Sequence, residues 1–303
     1  MAFLGIEIGG TKLQVVNGRA PQVLRRRRLR VEPAAGAQGI KRQLEHLLSD
    51  WTEKPEAVGV GFGGPVDWRT GTICRSHQIE GWSGFDLAAW LHKLTGVPVS
   101  VDNDANVGAL GEATQGRGSG FDPVFYVTLG SGVGGGLVHG GQIYHGASLG
   151  EAEIGHVRLD RQGTIVESRC SGWAVDARVR KLILREPESR LSRLALAAPG
   201  NEARHLAAAL HENDAAARHI LQETAEDLAY ALSHVVHLFH PQILILGGGL
   251  SAVGEPLRAA VEKALRQCVM EAFVSGLHVA LAGLGEDAVP VGALVLAQKK
   301  VAG

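Results

Sequence analysis

The chain opens with an apolar strand that runs into a glycine turn and straight out into a second strand, and this order of elements returns near residue 124. Residues 3–8 (Phe-Leu-Gly-Ile-Glu-Ile) read as the first strand, Gly9-Gly10-Thr11-Lys12 as the turn and Leu13–Val16 as the second strand. A turn at Asn17-Gly18 then leads to a third strand, Gln22–Val31. From Val124–Leu129 the pattern restarts, with a glycine turn at Gly130–Gly136 and an extended run from Leu137 to Tyr144. No close sequence repeat accompanies it, but the shared order points to two related α/β domains. The length of 303 residues agrees, at roughly 150 residues per domain.

Between the hairpins, Ile40, Leu44, Leu47, Leu48 and Trp51 recur at helical spacing and predict a helix over 37–51. Ala57–Phe62 is a short apolar strand ending in Gly63-Gly64-Pro65, residues 87–94 are helical, and Val97–Val101 is a strand followed by Asp102-Asn103-Asp104 and another helix. Further helices are expected at 172–185, over much of 202–239 and at 288–299, with a buried strand at Gln242–Leu246 leading into Gly247-Gly248-Gly249. Four successive arginines, Arg25–Arg28, lie within the third strand. They suit either a phosphate or nucleic-acid patch or an edge strand charged against aggregation, and the balanced charge of the whole chain favours the edge.

Thirty Lys+Arg against 31 Asp+Glu give a formal net charge of −1, so no global basic field is available for nucleic acid or an anionic membrane. Three dispersed cysteines, Cys74, Cys170 and Cys268, argue against a disulfide framework and suit a reducing, cytoplasmic compartment. The opening Met-Ala-Phe-Leu-Gly-Ile-Glu has no basic n-region, so no secretory signal is expected, and no apolar run is long enough for a membrane span. Glycine is the outlier, 41 of 303 residues and about twice the usual ~7%, without a collagen period.

Those glycines fit familiar patterns only on paper. Gly130-x-Gly132-x-x-Gly135 and Gly59-x-Gly61-x-x-Gly64 both match the dinucleotide fingerprint, but that fingerprint needs a helix to follow. A strand-like run follows the first and Pro65 the second. Gly5 through Lys12 resembles a P-loop with its Thr and Lys in the wrong order. Glycine turns between strands nevertheless bind phosphate, because successive backbone N–H groups form an anion nest that an absent Cβ leaves open. One such turn reads as an ordinary hairpin; three together shift the reading towards a nucleotide.

With these residues in view, the chain resembles the ROK family of bacterial sugar kinases and repressors, within the actin/hexokinase/heat-shock-70 ATPase superfamily. Gly5-Ile-Glu-Ile-Gly-Gly-Thr-Lys12 resembles the first phosphate motif, Thr128 to Gly136 the second, and Pro241 to Gly249 the adenosine motif. Val101-Asp-Asn-Asp-Ala-Asn106, Glu153-Ile-Gly-His156, Gly63-Gly-Pro-Val-Asp67 and Leu284 to Ala288 fall in order between and after them. The resemblance implies two ribonuclease-H-like (actin-like ATPase) α/β domains with an interdomain cleft. Residues 1–115 plus the helix 288–303 would form the sugar/phosphate domain, and 116–287 the nucleotide-binding and dimerisation domain.

The resemblance further implies an ATP- and Mg²⁺-dependent kinase acting on the 6-hydroxyl of a hexose, glucose first and an N-acetylhexosamine second, working as a homodimer. Asp104 matches the general base, and Gly64, Asn103, Glu153 and His156 match sugar ligands. Gly9, Gly10, Thr11, Lys12, Gly130, Ser131, Gly132, Gly134, Gly135, Gly247, Gly248 and Gly249 match the nucleotide loops. Read alone, Asn103-Asp104 is a helix cap; read within the motif set, it is the catalytic pair. Phosphoryl transfer passes through a loose transition state, so the carboxylate chiefly orients the hydroxyl and takes its proton late.

Two departures stand out. The cysteine cluster that holds structural zinc in many relatives is missing after His156, where Cys170 alone cannot supply four ligands, so no zinc is expected. Glu167 aligns with the sugar-binding Glu that usually follows that cluster; an ordinary surface Glu is the alternative. Glu7 stands where the first phosphate motif usually has Asp, which bears on Mg²⁺. Trp82 and Phe85, after Ser76-His77-Gln78, suit core or interface packing better than a sugar wall. A sugar-responsive repressor would need a DNA-binding segment ahead of the first phosphate motif, and a non-catalytic sugar-binding protein would fit the two departures but not Asp104.

Overall fold

Every residue of strand β1 (Phe3–Ile8) is buried, as its place in the middle of a sheet requires. In this computed structural model, which describes residues 2–49, 51, 54–74, 79–147 and 152–302, β1 pairs antiparallel with β2 (Lys12–Arg19) and β2 with β3 (Gln22–Arg30). Ser76-His77-Gln78 lie outside the described residues. Helix α1 (Gly36–Ser49) turns Ala37, Ile40, Leu44 and Leu47 inwards and leads to β4 (Val58–Phe62), which runs parallel to β1. A small hairpin of β5 (Val66–Asp67) and β6 (Thr72–Ile73) follows. Helix α2 (Leu87–Thr95) is capped by the Asp86 carboxylate, which accepts the Ala89 N–H, and is ended by Gly96 at φ +69°. Strand β7 (Val99–Asn103) then lies parallel to β4 and passes into helix α3 (Asp104–Gln115).

The first sheet has the order β3-β2-β1-β4-β7, so the arginine strand is an edge, as its charge predicts. Arg26 and Arg28 pair with Asp287 and Glu286, and the Arg25 guanidinium lies 4.9 Å above the Trp51 ring. These contacts cover an open row of strand hydrogen-bonding groups with charge.

The second sheet is built from β8 (Val124–Leu129), β9 (Val133–His139) and β10 (Gln142–Ile143), with β11 (Ile243–Gly247) and β12 (Val279–Leu281) from late in the chain, in the order β10-β9-β8-β11-β12. After β10 come helices α4 (Val166–Cys170), α5 (Gly172–Arg185), α6 (Arg190–Ala197), α7 (Leu206–His211) and α8 (Ala215–Phe239). Strand β11, α9 (Glu255–Cys268), α10 (Glu271–Val274), β12 and α11 (Ala288–Ala302) complete the chain. The strand expected from Leu137 already begins at Val133, a correction that puts Gly134, Gly135 and Gly136 in β9 and leaves only Gly130–Gly132 in the turn. The helical reading over much of 202–239 takes the form of a 3₁₀ turn, α7 and α8 in succession.

The chain divides into two units: residues 1–120, 136–152 and 286–303, and residues 121–135 and 153–285. The division falls inside β9. Helix α11 packs on α3, β1 and β4 of the first unit, and glycine makes that approach possible. A Cβ on Gly59 would collide with the Ala293 carbonyl oxygen, and one on Gly292 with the Val107 carbonyl oxygen. Among the described residues no helix is long and apolar enough to cross a membrane.

Candidate active site

In the first unit, the residues around Asp104 are held by the junction of β7 and α3. Val101, Asp102 and Asn103 are buried at the strand end, two residues further along the strand than expected. Asn103 caps α3: its Oδ1 accepts the N–H groups of Ala105 at 2.9 Å and Asn106 at 3.2 Å. Its Nδ2 donates to the Gly64 carbonyl at 3.2 Å. The capping and functional readings of Asn103 are therefore compatible, because the cap fixes the orientation of the residue that follows it.

Asp104 is the first residue of α3, half-buried, and faces Gly63. A Cβ on Gly63 would lie 3.4 Å from Asp104 Oδ2, 3.4 Å from the Gly9 Cα and 3.3 Å from the Ile8 carbonyl oxygen. The Gly63 N–H donates to that Ile8 oxygen at 2.8 Å. The first glycine turn, the Gly63-Gly64 corner and the Asp104 carboxylate thus meet at one place. Gly9, Gly10, Phe62, Gly63 and Trp82 line a small cavity there. Trp82 is 1% exposed and packs edge-on against Phe62 and Phe85, so the expected core role holds.

The first turn is closed by the Gly9 N–H donating to the Lys12 carbonyl at 2.8 Å, with Gly10 and Thr11 at its tip. Lys12 Nζ lies 2.8 Å from Glu7 Oε1, and Gln14 Nε2 donates to Glu7 Oε2. Glu7 faces Gln14 directly across the β1–β2 ladder and is buried. Both of its carboxylate oxygens are engaged by its own hairpin.

In the second unit, the turn at Gly130, Ser131 and Gly132 is closed by a 2.9 Å bond from the Gly130 N–H to the Gly132 carbonyl. The Gly130 carbonyl accepts the Gly172 N–H at 2.7 Å, where α5 begins. Glu167, in the first turn of α4, accepts the Val133 N–H through Oε2 at 2.9 Å. A Cβ on Gly132 would collide with that same oxygen. Glu167 is half-buried behind the turn and is not an ordinary surface residue.

The adenosine-like segment also arrives here. Gly247 ends β11, and Gly248 at φ +79° rests against Leu129, the last residue of β8; a Cβ there would lie 2.5 Å from the Leu129 nitrogen. Gly249 opens onto free space. The second and third glycine turns therefore sit together at the end of β8. Glu153 precedes a short 3₁₀ turn, Ile154–His156, that His156 ends, with His156 Nδ1 3.6 Å from Glu153 Oε2 and both side chains well exposed. Gly155 between them packs on the Val133 carbonyl.

These residues fit a nucleotide: glycine turns with closed hydrogen bonding behind them and open space in front at Gly249. Among the described residues no group of three or more His, Cys, Asp or Glu is placed to hold a metal ion. Mg²⁺ in phosphoryl transfer is held largely by waters and phosphate oxygens, so a dedicated protein cage is not required. Glu7, in the strand that leads into the first turn, is committed to Lys12 and Gln14.

Sequence reasoning missed a set of residues behind Asp104. The Asp102 carboxylate is 2% exposed; its Oδ1 accepts the Asn103 N–H at 2.8 Å and Asn106 Nδ2 at 3.1 Å. Its Oδ2 lies 2.7 Å from His145 Nε2, and His145 stacks on Trp68 with ring centroids 4.2 Å apart. The only available signal was a polar residue at the inward position preceding Asn103. Nothing in the sequence links it to residues 34 positions upstream and 43 downstream.

Two sheets of this order, each opened by a strand–glycine turn–strand hairpin, define the fold of the actin-like ATPases. The chain belongs to the ROK family, whose profile matches residues 3–300. It is 29% identical to a glucokinase of Thermotoga maritima over 100% of this chain and 99% of the relative. A beta-glucoside kinase of Listeria monocytogenes is 26% identical over 83% of this chain and 84% of its own. Among solved structures, a ROK family glucokinase from Streptomyces griseus in complex with glucose and AMPPNP superposes with a TM-score of 0.87 and 29% identity. That match covers 99% of this chain and 100% of that one.

Proposed function

We propose that this sugar kinase of the ROK family transfers the terminal phosphoryl group of Mg·ATP to the 6-hydroxyl of a hexose, with glucose as its first substrate. The observation that carries the reading is the meeting of Asp104 Oδ2, the Gly63-Gly64 corner and the first glycine turn in the first unit. A hydroxyl held there would face a carboxylate on one side and backbone N–H groups suited to phosphate oxygens on the other. The glucose and AMPPNP complex of the Streptomyces griseus relative supports the pairing of substrates.

The chemistry asked of the chain is positional. Asn103, pinned to α3 and Gly64, would hydrogen-bond hydroxyls beside the reacting one. Asp104 would orient the 6-hydroxyl and accept its proton late in a loose transition state. Glu153 and His156 would contact the sugar near its anomeric end, while Glu167 would act by shaping the Gly130–Gly132 turn and through any contact with the sugar. Lys12, Ser131 and the glycines of the three turns would bind phosphate and adenosine. We further infer that the first unit is the sugar side, that the second is the nucleotide and dimerisation side, and that the protein works as a homodimer without nucleic-acid or membrane partners.

The test is ADP release with Mg·ATP across glucose, mannose, fructose, glucosamine, N-acetylglucosamine, N-acetylmannosamine and a β-glucoside. The reading expects turnover with one preferred sugar, glucose above the N-acetylhexosamines. Folded protein that binds a sugar but turns over none would mark a binding or sensing protein instead.

A further inference from the structure

We propose that His145 is a positioning residue for phosphoryl transfer, acting through Asp102 on the Asn103-Asp104 corner; this rests on the reading of Asp104 as the base. Asp102 is a buried acid whose two oxygens have different duties. Oδ1 binds the Asn103 N–H and Asn106 Nδ2, at 2.8 and 3.1 Å, and so grips the strand end and the first turn of α3 together. Oδ2 faces His145 Nε2 at 2.7 Å. A carboxylate only accepts, so the imidazole donates Nε2–H to it. Without that donor Oδ2 would lose a charge-assisted hydrogen bond in a nearly dry place, where an unpaired charge is costly.

His145 is itself held from outside. Its ring lies parallel to Trp68 within 14° at 4.2 Å, and the Arg69 guanidinium sits 4.7 Å above the Trp68 ring. The side chain of His145 is 15% exposed, so stack and hydrogen bond together fix its plane. A chain of contacts therefore runs from the loop after β5, through the segment after β10, to the residue two positions before the proposed base. Asp102 touches neither Asp104 nor the reacting centre by any of these bonds. Its influence is on where the β7–α3 corner points, and small misplacements of such a corner are expensive in rate.

The experiment compares His145→Phe, which keeps a flat ring on Trp68 but has no donor, with His145→Gln, which restores an N–H near the Nε2 position. Each is measured for kcat, for KM of sugar and ATP, and for the backbone amide resonances of Asn103 and Asp104. The expected result is a fall in kcat of about 10- to 100-fold in His145→Phe, up to the loss that a misplacement of about 1 Å causes. KM for ATP should stay near wild type, the two amide resonances should move, and His145→Gln should recover most of kcat and both resonances. Wild-type kcat in His145→Phe, or equal loss in both variants, would overturn the proposal. If His145→Phe does not fold, Trp68→Leu, which removes only the stack, is expected to give the same pattern at smaller amplitude, and unchanged kcat there would overturn it. If wild type phosphorylates no sugar, the function proposed above fails on its own and takes the catalytic part of this proposal with it, while the amide resonances still decide whether His145 positions the Asn103-Asp104 corner: shifted in His145→Phe and restored in His145→Gln upholds that positioning, unmoved overturns it.

Discussion

Glu167 accepts the Val133 N–H at 2.9 Å from the far side of the Gly130–Gly132 turn, so a carboxylate on α4 shapes the loop at the end of β8. Removing one partner of such a bond leaves an unsatisfied N–H. Glu167→Ala is expected to destabilise the protein by about 1–3 kcal/mol and to raise KM for ATP. Glu167→Gln, whose amide oxygen still accepts, should lie much closer to wild type. Thermal melts together with ATP titrations check both effects.

Lys12 and Glu7 form an ion pair inside the first hairpin, with Glu7 only 8% exposed. Lys12→Met would leave the Glu7 carboxylate with Gln14 alone, and an orphaned buried charge typically costs about 3–5 kcal/mol. Because Lys12 retains some exposure, the lower end of that range is expected. The double variant Glu7→Gln/Lys12→Met should be more stable than Lys12→Met alone in a denaturant titration, since it no longer buries an unpaired charge.

Gly59 and Gly292 let α11 lie directly on β4 and α3. Alanine at either position must push backbone against backbone, because the colliding atoms are carbonyl oxygens. Gly59→Ala and Gly292→Ala are each expected to lose at least the ~1–3 kcal/mol typical of overpacking, whereas Gly249→Ala, facing open space, should melt near wild type.

Cys170 is fully buried, and burial pushes its thiol up from 9.0 to about 12. The unfolded chain releases this proton near pH 9 while the folded chain keeps it, so the contribution to stability is full below pH 9 and is lost as pH rises from there towards about 12. Cys170→Ala should flatten the alkaline limb of a stability–pH curve. In the native protein a thiol reagent should modify the exposed Cys268 rapidly and Cys170 only on unfolding.

Much of this architecture is legible in the sequence, for reasons that differ by element. Helix α1 shows itself because Ile40, Leu44 and Leu47 keep one face inwards, and β3 because five arginines in nine residues suit an edge. The start of β9 is hidden because glycine usually signals a turn. Here Gly136 is small because Ala105 and Ala109 of α3 press on it, a tertiary demand that no local pattern announces. Helix α9 had its signal in Leu257, Val261, Ala264 and Leu265, obscured by its glycine-rich approach. At the site, the glycine turns and Asn103-Asp104 stand out as contiguous motifs. The alliance of Trp68, Asp102 and His145 does not, because it exists only once three distant segments are folded together. Glu167 drew notice only through the family resemblance, aligned by Ser171-Gly172, and its bond to the Val133 N–H has no signal in the sequence.

The proposed role of Asp104, taking the proton of a sugar hydroxyl, is tested by Mg·ATP-dependent glucose phosphorylation by Asp104→Asn beside wild type, with glucose binding followed by calorimetry. The expected kcat is lower by about 10²- to 10⁴-fold, the usual worth of a positioned general base, with glucose still bound and the melting temperature preserved. A folded Asp104→Asn protein that phosphorylates glucose at the wild-type rate would contradict it.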